Sequence, residues 1–112
     1  MMLTKLSLAV TLSLIAIYPA HAESGLASFY GGGRTASGEV AVPTGLTAAH
    51  RTLPFGTKVL VTNVHNHRTV VVRITDRGPY RRGRFSDVSR AAAHELDMID
   101  SGTAMVSVVL QE

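Results

Sequence analysis

No cysteine occurs anywhere in the 112 residues. Disulfide staples, thiolate nucleophiles and cysteine-ligated zinc or iron–sulfur centres are therefore excluded. The absence constrains the fold because the chain opens like an exported protein. Lys5 supplies a positive start, residues 6–17 form a twelve-residue apolar run, and Ala20-His21-Ala22 has the small-x-small pattern of a signal peptidase site. That run falls short of the roughly 20 residues that span a bilayer. The sequence thus predicts a signal peptide over 1–22 and one domain over 23–112, periplasmic or secreted. No cysteine follows the apolar run, so no lipid anchor is expected at the new N-terminus. A domain of about 90 residues buries only about 60–70% of its unfolded surface. Without disulfides, such a domain is workable if its sheet closes on itself as a barrel.

The hydropathy pattern agrees. Residues 26–30 have strand composition and run into Gly31-Gly32-Gly33, a loop or ligand-facing turn. Residues 34–46 read as a long polar loop. Residues 58–63 alternate Val59 and Val61 against Lys58 and Thr62, and 70–74 are almost all β-branched. His65-Asn66-His67 marks the turn between them. Asp76-Arg77-Gly78-Pro79 stops the second strand, and 85–88 reads as a short strand. Ser89 fits an N-cap for a helix over 90–96, with Val88, Ala92, Leu96 and Ile99 on one face. Residues 104–110 close the chain as a strand, with Met105, Val108 or Val109 and Leu110 available to the core. Periodicity thus gives four or five strands and one helix, and no topology.

Net charge is +3, falling to +2 if Lys5 leaves with the leader, which offers little to a polyanion. Arg81-Arg82-Gly83-Arg84 lacks the aromatic interleaving of a nucleic-acid site. It reads as a solvated loop, or as a lining for the groove of a long polymer. His65 and His67 share strand spacing but lack a nearby third ligand, so no metal site is expected. A Ser37/His50/Asp76 triad has no nucleophile elbow around the serine. Asp76 ends an apolar strand, where burial would favour its proton-donating form and Arg73 and Arg77 its charged form. Taken locally it could equally cap a turn. Glu39 reads locally as a loop carboxylate, His50 as a structural hydrogen-bonder, and Asp87 as a cap or helix-dipole partner.

Several motifs in fixed order change the weights. They are Ala27-Ser28-Phe29-Tyr30-Gly31, Thr35-Ala36-Ser37-Gly38-Glu39, the run 47–57 (TAAHRTLPFGT), the run 71–80 (VVRITDRGPY), and Gly83-Arg84 through Asp87-Val88-Ser89-Arg90-Ala91-Ala92. Together they cover residues 25–110, and the chain resembles the rare lipoprotein A (RlpA)-like family. The resemblance implies a mainly β fold, a six-stranded double-psi β-barrel with one short helix. It implies an endolytic peptidoglycan lytic transglycosylase. Such a lyase cleaves MurNAc–GlcNAc β-1,4 bonds, preferably in peptide-stripped strands, and leaves 1,6-anhydro-MurNAc ends. Its acidic residue falls on Asp76, with Glu39 and His50 as further members of the catalytic set. Asp76 becomes the acid and then the base; Glu39 and His50 position sugar hydroxyls and tune it. Tyr30 and Arg77 are expected to bind substrate, the tyrosine by stacking.

No cofactor is implied, and the expected partner is the peptidoglycan glycan strand. Nucleic acid, a membrane anchor after signal cleavage, and oligomerisation are not expected. Many relatives carry a lipidated cysteine and a C-terminal peptidoglycan-binding module, and neither is expected here. A non-catalytic, expansin-like wall-binding or loosening module is the main alternative. A factor directed at another polymer or a protein is a further one.

Overall fold

The computed structural model describes residues 22–31, 33–42 and 44–111. The leader expected over 1–22 lies outside the described residues except for Ala22. The elements in chain order are β1 (Glu23–Tyr30), β2 (Gly33–Arg34), β3 (Val40–Ala41), β4 (Thr47–Ala49), β5 (Lys58–Asn63), β6 (Thr69–Asp76), β7 (Arg84–Ser89), α1 (Arg90–Glu95) and β8 (Thr103–Leu110). Six strands close a barrel in the order β1-β7-β4-β6-β5-β8, and β8 returns to β1. The pairs β1–β7 and β4–β6 are parallel, and the other barrel pairs are antiparallel. β2 and β3 form a separate two-stranded ribbon.

Closure follows from the alternation. Val59 and Val61 of β5, Val70, Val72 and Ile74 of β6, Val88 of β7, and Val106 and Val108 of β8 all point inward and are buried. Each such side chain contributes about 1.5–3 kcal/mol over leaving it in water. α1 starts where Ser89 Oγ accepts from the Ala92 amide at 3.2 Å. It lays Ala92 on the barrel core with Leu96 at its C-cap, as the spacing predicts, and also buries Ala93, which the spacing does not mark. Asn63 fixes the following turn, donating to the Leu96 carbonyl at 2.9 Å and accepting from the His65 amide at 3.0 Å.

The structure departs from the periodicity in two respects. First, the β2–β3 ribbon lies in stretches that read as loop and β4 in one that gives no strand signal, because strands of two or three residues have no alternation to detect. Second, Val106 and Val108 fill the core, whereas Met105 and Leu110 are 50% and 38% exposed. A strand buries alternate positions only, and this register selects the even ones up to 108.

Candidate active site

β4 is three residues long and lies between β6 and β7. Ala48 pairs with Ile74 on one side and Val88 on the other. One step on, Ala49 pairs with Asp76 and with Asp87. β6 has therefore inserted one extra residue, Thr75, against β4. Such a bulge re-aims the side chain that follows it. Ile74 stays in the core while Asp76 joins Ala49 and Asp87 on the outer face. The Thr75 hydroxyl is left buried without a hydrogen-bond partner among the described residues. On β1, Ser28 pairs with Asp87, and its hydroxyl donates to Asp87 Oδ1. The result is one row, Ser28–Asp87–Ala49–Asp76, across four adjacent strands. Two strand spacings separate the carboxylate-bearing backbones by about 10 Å, with only the Ala49 methyl between them.

Asp76 is held from two sides. Its Oδ1 accepts from the Ala36 amide at 2.9 Å and from the Arg77 amide at 2.8 Å. Oδ2 makes no hydrogen bond among the described residues. The Ala36 donor comes from the Thr35–Glu39 turn, which Gly38 closes at φ +91°. Ser37 N donates to the Thr75 carbonyl at 3.2 Å, docking this turn on the bulge. Two motifs 40 residues apart in sequence thus meet at one carboxylate.

The other expected residues have different surroundings. Glu39 is exposed, and both Arg73 terminal nitrogens donate to its oxygens at 2.8 Å. That pairing holds the Glu39 carboxyl below its ordinary range. Arg73 therefore serves Glu39 and not Asp76. The His50 ring is buried: Nδ1 accepts from the Thr52 and Leu53 amides at 3.1 and 3.0 Å, and Nε2 faces Glu23 Oε1 at 3.2 Å. Its backbone, rather than its ring, reaches the site, because His50 N donates to the Asp76 carbonyl at 3.1 Å. The Arg77 guanidinium donates to the His50 and Leu53 carbonyls at 3.1 and 2.7 Å and lies 4.1 Å above the Phe55 ring. Tyr30 is half-buried, its hydroxyl 2.7 Å from Thr47 Oγ1. Burial pushes the Tyr30 phenol up, the hydrogen bond to Thr47 partly offsets this, and the Asp76 and Asp87 charges add to the rise.

Three adjoining depressions run over this row. The central one is lined by Tyr30, Arg34, Ala49, Asp76, Arg77 and Asp87. Thr35 and Ala41 connect it to a second, bordered by Glu39, Leu46 and Arg73. Asp87 connects it to a third, of about 400 Å³, which holds Phe29, Tyr80, Arg81 and Arg84. The groove thus brings together Asp76, Tyr30, Arg77 and, at one end, Glu39; the His50 ring is not among its lining residues. Asp87 and Ser28 are the residues that local reasoning missed. The signal that could have found Asp87 is the alternation Phe85-Ser86-Asp87-Val88, which sets it on the face opposite the core-facing Val88. Among the described residues, no group of three or more histidines and carboxylates could hold a metal ion.

A family model described as lytic transglycolase matches residues 22–108. The chain belongs to the lytic transglycolase family. Among similar members, the probable endolytic peptidoglycan transglycosylase RlpA of a Nostoc species is 57% identical over 90 residues, covering 75% of this chain and 24% of that protein. The endolytic peptidoglycan transglycosylase RlpA of Pasteurella multocida is 51% identical over 94 residues, covering 80% of this chain and 32% of that protein. The chain thus spans about a quarter to a third of the length of these relatives. Among solved structures, the Streptomyces papain inhibitor superposes with a TM-score of 0.67 at 22% identity, covering 83% of this chain and 96% of that one. The Clavibacter michiganensis expansin superposes with a TM-score of 0.67 at 22% identity, covering 81% of this chain and 50% of that one. These two share the barrel with this lytic transglycolase-family chain.

Proposed function

We propose that this chain cleaves peptidoglycan glycan strands, preferably peptide-free ones, at MurNAc–GlcNAc β-1,4 bonds without using water. The observation that carries the reading is Asp76, with one oxygen tied by two backbone amides and the other without a hydrogen-bond partner among the described residues, beside a groove. The names of the relatives supply the substrate class. Protonated Asp76 gives its proton to the glycosidic oxygen as the bond from muramyl C1 to that oxygen breaks. The positive charge that develops at C1 faces Asp87 and the new Asp76 carboxylate. Asp76 then takes the proton of the C6 hydroxyl as O6 bonds to C1, which closes the 1,6-anhydro ring. Asp76 ends protonated, as it began. One acid/base suffices because the nucleophile belongs to the substrate, whereas hydrolases pair two carboxylates across the bond.

The remaining residues act around this centre. Glu39, neutralised by Arg73, holds the turn that donates to Asp76 and borders the groove for sugar hydroxyls. His50 acts by positioning: its ring pins residues 50–53, and its amide fixes the strand end that carries Asp76. Tyr30 and Arg77 border the central sugar. Such a reaction belongs where peptidoglycan lies, in the periplasm or outside the cell.

The test incubates the purified chain with amidase-treated, peptide-free glycan strands and reads the products by mass spectrometry. The reading requires saccharides lighter by one water than their hydrolysed counterparts. Asp76→Asn keeps an acceptor for both amides, so it should stay folded while cleavage falls by about 10²–10⁴-fold, the usual contribution of a general acid. Hydrated ends would make the chain a hydrolase. Binding by the native chain without any products would make it a wall-binding or loosening module.

A further inference from the structure

The Arg81–Arg84 loop takes no part in the chemistry above, yet it is firmly built. Arg51 clamps it at both ends, with Nε donating to the Pro79 carbonyl at 2.7 Å and Nη2 to the Arg84 carbonyl at 2.8 Å. The Arg84 amide closes a turn onto the Arg81 carbonyl at 3.1 Å, with Gly83 at φ +81°. This turn presents Arg81 and Arg84 to the third depression, beside Tyr80, which is 77% exposed. The ion pairs of the described residues are His50–Glu23 and Arg73–Glu39, so among the described residues no carboxylate forms an ion pair with either arginine. One carboxylate, Asp87, stands in the same depression, and its Oδ1 is already engaged by Ser28. Two guanidinium groups against one carboxylate leave an excess positive charge one step from the central site. A planar guanidinium matches a carboxylate with two parallel hydrogen bonds. An exposed tyrosine ring beside the pair suits the apolar face of a sugar.

We infer that Arg81, Arg84 and Tyr80 form a subsite for a sugar carrying its own carboxylate, the free 3-O-lactyl group of a muramic residue. The inference rests on the glycan reading above and deepens it. In an intact strand that lactyl group is an amide to the stem peptide and carries no charge. It becomes a carboxylate only when the peptide is removed at that bond. The subsite therefore reads the peptide state of the strand at the ring next to Asp87, and Arg81 and Arg84 are its specificity-determining residues.

The experiment measures binding by calorimetry in the Asp76→Asn background, so that cleavage does not intervene. Three ligands are compared: peptide-free glycan strands, the same strands with lactyl carboxylates capped as methylamides, and strands that keep their stem peptides. The native loop should bind peptide-free strands about tenfold more tightly than either of the others, the scale of a charge-assisted hydrogen bond. Added salt should narrow the gap. Arg81→Gln/Arg84→Gln should bind all three at the weak level of the capped strands. Equal affinity of the native loop for free and capped strands overturns the subsite while leaving the glycan reading intact. Tight binding of peptide-bearing strands, lost in the double variant, also overturns it, because the arginines would then be reading peptide charge. Failure to bind any strand removes the glycan reading and the subsite with it.

Discussion

Individual side chains divide between those facing the groove and those holding its walls. Tyr30 does both, because its hydroxyl bonds Thr47 while its ring borders the central depression. Tyr30→Phe removes that one hydrogen bond, and urea titration should show a loss of about 0.5–1.5 kcal/mol. The pH dependence has a definite sign. The phenol is raised above its ordinary 10.0, so the unfolded chain releases this proton first. Its contribution to stability is present below pH 10 and declines as pH rises above it. The Phe variant should lose that alkaline slope. Glu39 behaves oppositely. Its carboxyl is held below its ordinary 4.5 by Arg73, so the pair stabilises the fold above that value and fades as pH falls beneath it. Glu39→Gln should therefore lower stability slightly in the neutral region and flatten the acid limb, so that the variant and native curves converge as pH falls. A variant curve parallel to the native one throughout would contradict the assigned pair.

At the level of elements, β4 sets the spacing of the two carboxylates that the proposed chemistry uses. Its three residues place Ala49 between Asp76 and Asp87, and the smallness of that side chain keeps the floor between the carboxylates open. Ala49→Val should cut cleavage at least tenfold while the far-ultraviolet circular dichroism spectrum stays native. Full activity in that variant would mean that substrate does not cross the row. This arrangement was only partly legible in the sequence. β5 and the Ser89 cap could be read because Val59/Val61 alternation and an N-cap serine are local signals. The row could not, because it depends on the Thr75 bulge and on β4 meeting two strands from distant parts of the chain. Asp87 looks like a cap residue in its own segment and becomes a wall of the groove only once β7 lies beside β4. His50 shows the reverse. Its motif marks it as a site residue, yet its ring is occupied in holding the 50–53 turn.

For the molecule as a whole, closure replaces the disulfides that the sequence lacks. β8 pairs with both β1 and β5, so the first and last strands of the chain share a hydrogen-bonded edge and the six-strand barrel has no free one. Periodicity could not reveal this, since the parallel pair β1–β7 joins residues 23–30 to 84–89; only the ordered motifs carried the topology. A rigid ring with one carboxylate oriented by its neighbours suits a reaction in which the substrate supplies its own nucleophile. The most direct measurement is therefore the fate of water. Peptide-free strands are cleaved in heavy-oxygen water and the new ends are weighed. The native chain should form anhydro ends carrying no heavy oxygen, and Asp76→Asn should lose them. Heavy oxygen incorporated at the muramic C1 would contradict the proposed reaction.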